Sequence, residues 1–159
     1  MKRTILYLAI LLAALTVPRE RYDVGKLKPV EVVLLFKERN AVVMSTDTGD
    51  MGIGRTVSEA YENLKETSAG IIFLDTADYL LVEESAADEV VMLHQWLKPS
   101  VRMCFAQRGT DLKAAAEYLS THPPATELKE YGASQSMEKL TLRNGRMFLQ
   151  KMEKSQKTT

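Results

Sequence analysis

Thr56-Val57-Ser58-Glu59-Ala60-Tyr61-Glu62-Asn63-Leu64-Lys65-Glu66-Thr67-Ser68-Ala69-Gly70-Ile71-Ile72-Phe73-Leu74 decides how the rest of the chain is read. Its first four residues form a capping box, in which a Thr hydroxyl and a Glu carboxylate three positions later satisfy the free amides of a helix N-terminus. Val57, Ala60, Tyr61 and Leu64 recur at helical spacing, while Glu59, Glu62, Lys65 and Glu66 fall on the opposite side. Ser68-Ala69-Gly70 ends the helix. Ile71 to Leu74 then has no polar position, as expected of a strand covered on both faces.

Upstream, Val30 to Phe36 is β-branched and apolar, Lys37-Glu38-Arg39-Asn40 is a polar turn, and Ala41 to Met44 returns as a second strand. Ser45 to Arg55 contains Gly49, Gly52 and Gly54 and reads as a loop. Downstream, Tyr79 to Val82 is a short extended piece. Ser85 to about Leu97 has helical periodicity, with Val90, Leu93, His94 and Leu97 on the inward face, ended by Lys98-Pro99. Val101 to Ala106 is a further strand, and Thr110 is placed to cap a helix with Leu112, Ala116 and Leu119 inward. After His122-Pro123-Pro124, Asn144-Gly145 between two alternating runs marks a hairpin.

The order ββαββαβα plus a C-terminal hairpin predicts an α+β fold, a mixed β-sheet with helices packed on it. One domain is expected over residues 27–150, with residues 151–159 a disordered polar tail.

At the N-terminus, Lys2 and Arg3 precede an uncharged apolar run from Thr4 to Val17, closed by Pro18 and Arg19. A basic start followed by an apolar stretch is the pattern of a secretory signal. As a helix the run spans about 21 Å against a hydrocarbon core of about 30 Å. Residues 1–18 are therefore expected to be a signal peptide or a short membrane anchor, with the domain exported and held near the membrane.

Lys+Arg and Asp+Glu number 21 each, so no net field draws the chain to nucleic acid. Cys104 is the single cysteine, which excludes an intrachain disulfide and a thiolate metal cluster. His94 and His122 have no Cys or carboxylate at metal-ligand spacing. No Ser-His-Asp or Cys-His set can be assembled.

Two motifs carry alternative readings. Asp47-Thr48-Gly49 and Asp75-Thr76-Ala77 have the tripeptide pattern of retroviral-type aspartic proteases, whose chemistry needs two carboxylates sharing one proton. Both also read as turns. Gly49-Asp50-Met51-Gly52-Ile53-Gly54 runs into a helix N-terminus but lacks the ending of a P-loop and the spacing of a dinucleotide fingerprint. A small-ligand-binding loop there would use Asp47, Asp50, Gly52, Gly54 and Arg55.

The region from Leu27 to about Thr121 resembles the N-terminal domain of the Ger(x)C family, the C subunits of spore germinant receptors. The likeness is carried by Pro29-Val30-Glu31-Val32-Val33, by Gly54-Arg55-Thr56-Val57-Ser58-Glu59-Ala60-Tyr61-Glu62-Asn63-Leu64, by Ile72-Phe73-Leu74, by Tyr79-Leu80-Leu81-Val82-Glu83-Glu84, and by the strand from Arg102 to Ala106. Family members typically close their signal peptide with a lipid-bearing Cys, where this chain has Thr16 and Val17, and they continue into further domains. The resemblance implies a non-enzymatic, extracytoplasmic, membrane-associated module. It would act in sporulation or germination by contact with other envelope or germinant-receptor-like proteins, with no catalytic residues, cofactor or metal and no nucleic-acid partner.

Overall fold

The computed structural model describes residues 27–134 and 136–153. The expected leader, residues 1–18, and the tail from residue 154 onward lie outside them. Among the described residues, no helix is long and apolar enough to cross a membrane.

Strand β1 (Leu27–Pro29) is followed by β2 (Val32–Glu38) and β3 (Ala41–Thr46), an antiparallel pair closed at Arg39-Asn40 with Arg39 at φ +55°. The expected Ser45–Arg55 loop is largely strand: β4 (Met51–Gly54) pairs antiparallel with β3, matching Val42 to Gly54 and Met44 to Gly52. The glycines are there for packing. A Cβ on Gly52 would stand 2.1 Å from the Ala60 carbonyl oxygen, and one on Gly54 would stand 2.3 Å from the Ala60 nitrogen. Glycine in a strand marks such a close backbone approach as readily as it marks a loop.

Helix α1 (Val57–Thr67) lies on β4 and β3, burying Val57, Ala60 and Leu64. The Thr56 hydroxyl accepts the Glu59 N–H at 3.2 Å, and the Glu59 carboxylate accepts the Arg55 N–H at 2.7 Å. The predicted cap therefore forms, with its return bond one residue earlier.

Strand β5 (Ile71–Phe73) is not interior to the main sheet, as its composition suggested. Among the described residues it pairs only with β1, in parallel, leaving Ile71 and Phe73 exposed and Ile72 buried. The central position belongs to β6 (Tyr79–Val82), which lies parallel between β2 and β7 (Arg102–Phe105). Strands β8 (Ser136–Arg143) and β9 (Arg146–Glu153) complete a seven-stranded mixed sheet of order β4-β3-β2-β6-β7-β8-β9. The last strand continues past Gln150, through Glu153, so the expected disordered tail does not begin at residue 151: residues 151–153 pair with the start of β8.

Between β6 and β7, Glu84–Gln95 is a 3₁₀ helix. At three residues per turn, Val90 and Leu93 lie one above the other and are buried. His94, four residues after Val90, would share its face in an α-helix but is rotated out and exposed here, which corrects its predicted inward position. Trp96 closes the row, its ring 4.8 Å from that of Tyr61 on α1.

Helix α2 (Leu112–Thr121) is capped by Asp111, whose carboxylate accepts the N–H groups of Lys113 and Ala114 at 3.1 and 3.2 Å. Thr110, the expected cap, instead donates its hydroxyl to the Gln107 carbonyl at 2.6 Å.

The strands' two-residue period sorts the core into two layers. Val33, Leu35, Leu80, Val82 and Met103 face α1 and the 3₁₀ helix. Val32, Leu34, Leu81 and Cys104 face Ala115, Ala116 and Leu119 of α2. The fold is α+β, a mixed sheet with helices on both faces.

Candidate functional site

The five residues of the predicted binding loop do not converge on a cleft. Asp47 Oδ1 accepts the N–H groups of Glu31 and Val32 at 3.0 and 3.1 Å, fastening the turn after β3 to the start of β2. Asp50 takes the Lys28 ammonium at 3.1 Å and the Thr48 hydroxyl at 2.7 Å. Burial pushes the Asp50 carboxyl up, but hydrogen bonds from Thr48, Lys28 and Ser68 outweigh it and hold the group below the usual carboxylate range. Gly52 and Gly54 lie under α1, and the Arg55 side chain is exposed.

Nor do Asp47 and Asp75 form a proton-sharing dyad. One oxygen of Asp47 is committed to two backbone amides. Asp75 is exposed on the short 3₁₀ turn Leu74–Thr76, where the Thr76 hydroxyl accepts the Val30 N–H at 3.0 Å. A sheet covered by helices on both faces also departs from the almost wholly β architecture that the protease reading requires.

Cys104 is buried under α2, and burial pushes its thiol up to about 12, far from a thiolate at neutral pH. His122 stacks on Tyr118 with ring centroids 4.7 Å apart, its Nδ1 2.8 Å from the Thr121 hydroxyl. Among the described residues, no group of three His, Cys, Asp or Glu side chains is placed to hold a metal ion.

A charged cluster occupies the carboxyl ends of β2, β6 and β7, where ligands of open α/β sheets commonly bind. Here its cations are already matched. Lys37 contacts Asp88 at 2.9 Å and Glu89 at 3.1 Å, and those contacts, Asp88 first, raise its pKa. Lys139 meets Glu84 at 2.6 Å, and Arg108 lies 3.7 Å from both Glu38 and Glu83. The cluster braces the strand ends and leaves no uncompensated positive charge for an anion.

A cleft of about 670 Å³ opens between α2 and the β8–β9 hairpin. It exists because β8 meets β7 at a single matched pair, Phe105 with Lys139, so the hairpin runs on beyond the sheet. The turn Asn144-Gly145 has both residues at positive φ, +50° and +72°, which suits the twist of a two-residue hairpin. On the face toward α2, Leu140 pairs with Leu149 and Leu142 with Met147. Leu140 is buried but Leu142 is 68% exposed, so the apolar stripe leaves the core and enters the cleft. The helix side contributes Asp111, Ala114, Glu117 and Tyr118. Both charged side chains lining the cleft are acidic.

The hairpin's other face carries Phe148, 46% exposed. Arg143 and Arg146 stand directly opposite each other at the turn. Neither makes an ion pair among the described residues, nor does Glu117. Sequence reasoning located the hairpin through Asn144-Gly145 but not the cleft, because nothing local shows that β7 ends before β8 does.

No family model, curated protein or solved structure matches the chain.

Proposed function

We propose that this domain is a non-enzymatic contact module, exported and held at the membrane by its N-terminal segment, that works by protein–protein contact at the envelope through the cleft between α2 and the β8–β9 hairpin. The observation that carries the reading is the solvent-facing continuation of the apolar stripe, Leu142 beside Met147, over an acidic helix edge. An exposed apolar surface rimmed by polar groups is the usual mark of a protein contact. Three side chains that could carry chemistry are engaged elsewhere: Asp47 and Asp50 hold turns, and Cys104 lies in the core. The resemblance to germinant-receptor C subunits supports the same reading and supplies its setting, sporulation or germination with receptor-like partners.

Site-specific photo-cross-linking tests the reading in cells of the source organism. A cross-linker at Leu142 is expected to give an adduct with an identifiable envelope protein in the membrane fraction. One at Lys65, on the exposed side of α1, should give none. Equal labelling at both positions, or recovery of the protein from the cytosolic fraction, contradicts the proposal.

A further inference from the structure

We propose that this surface pairs with a second copy of the chain, the arginine-bearing hairpin tip of each protomer seated against the acidic edge of the other's α2. The inference rests on the contact reading above and names the occupant.

It begins from a local conflict. Arg143 and Arg146 occupy directly opposed positions across the hairpin, where like charges repel and weaken strand pairing. Seven described cations have a carboxylate partner, among them Lys28 with Asp50, Lys37 with Asp88 and Glu89, and Lys139 with Glu84, whereas single exposed cations such as Arg39, Arg55 and Lys113 stand apart from one another. At the hairpin tip two guanidinium groups adjoin exposed Leu142 and Phe148, and no described carboxylate answers them. Positions where a sequence departs from its own local rules are expected at functional surfaces.

The complement lies on the same molecule. Asp111 and Glu117 line the cleft beside the tip, without a cation among the lining residues. One oxygen of Asp111 is occupied by the amides at the start of α2. Glu117 makes no ion pair among the described residues and is the carboxylate available to a partner. A basic apolar projection adjacent to an acidic apolar recess is self-complementary under a two-fold axis. Each copy then supplies the tip for the other's recess, and the assembly closes at two. Burying Leu142 and Phe148 provides the non-directional attraction, and the Arg146–Glu117 contact fixes the register.

Sedimentation velocity on the full 159-residue chain, over a concentration series, tests the pairing through a charge exchange. The unaltered chain is expected to form a dimer that weakens as salt is raised. Arg146→Glu and Glu117→Arg should each weaken dimerisation by at least about tenfold. Both positions are exposed, and circular dichroism matching the unaltered chain checks that each variant is folded. The decisive sample is an equimolar mixture of the two variants. In the mixed pair both contacts are again between opposite charges, so the dimer should return.

A chain that stays monomeric throughout the series overturns the proposal. So does an open series of larger oligomers, variants that pair as the unaltered chain does, or a mixture that stays monomeric. A monomer whose Leu142 cross-links to a different envelope protein would overturn the pairing while leaving the contact reading intact.

Discussion

The phenolic oxygen of Tyr118 accepts the backbone N–H of Leu149 at 3.3 Å, tying the middle of α2 to the outermost strand of the sheet. An edge strand presents unpaired amides that invite unwanted pairing, and proteins cover or interrupt them. Here one phenol blocks the middle of β9 and helps hold the hairpin at the distance from α2 that keeps the cleft open.

Tyr118→Phe should therefore lower stability by about 1 kcal/mol, the net worth of one hydrogen bond. It should also speed hydrogen exchange at the Leu149 amide more than at its neighbours. Exchange followed residue by residue checks this, and an unchanged Leu149 rate would show that the bond does not persist in solution.

The approach of α1 to β4 makes Gly52 an exacting position. Gly52→Ala places a Cβ where the Ala60 carbonyl and the Leu64 backbone already lie. It should cost about 1–3 kcal/mol or more through overpacking. Gly132→Ala is the control, because a Cβ there meets nothing within 4 Å, and it should stay within about 0.5 kcal/mol. Urea unfolding of the two variants compares them directly.

Those glycines also show where sequence reasoning stopped. Gly52 and Gly54 have the composition of a loop, and only the tertiary approach of Ala60 reveals them as strand. The apolar run Ile71 to Leu74 has the composition of an inner strand, yet β6 has helices over both faces while β5, among the described residues, meets β1 alone. A period of 3.6 turns His94 inward, whereas the segment coils at three residues per turn. By contrast, the Thr56 cap, the α1 stripe and the Asn144-Gly145 hairpin were legible because each is encoded within a few neighbouring residues. The cleft was not, since it depends on the relative ends of β7 and β8, which only the assembled sheet sets.

Leu64 is fully buried on α1, while Lys65 reaches outward to Glu62 at 2.8 Å and lies over the Tyr61 ring at 4.7 Å. Leu64→Ala should remove about 2–5 kcal/mol through lost burial and a residual cavity. Lys65→Ala should cost less than about 1 kcal/mol, the scale of exposed ion pairs. Thermal melts that fall equally for the two would show that α1 does not present this face to the sheet.

The carboxyl of Asp50 titrates below its ordinary value, so its contribution is fully present above the unfolded pKa, about 3.9, and is lost as pH falls through the lower folded pKa. Asp50→Asn should accordingly be less stable than the unaltered chain at pH 7, by about 1 kcal/mol on the hydrogen-bond scale. The gap should close only once the pH falls below the lowered folded pKa, where the folded carboxyl is protonated as well. Denaturation midpoints across that range measure it, and a gap that stays constant would mean the Lys28 and Thr48 contacts do not act through the ionised carboxylate.

The most direct test of the central claim is cysteine accessibility in intact cells, read with a membrane-impermeant maleimide. Leu142→Cys and Lys65→Cys are compared in the purified chain, diluted until it is monomeric, and in the cell, with buried Cys104 as the silent background. The account predicts that both introduced thiols react in the purified monomer. In cells, export would leave Lys65→Cys reactive outside the membrane barrier, while a bound partner would protect Leu142→Cys. Equal reaction of the two in cells would contradict a contact at the cleft, and protection of both would contradict export.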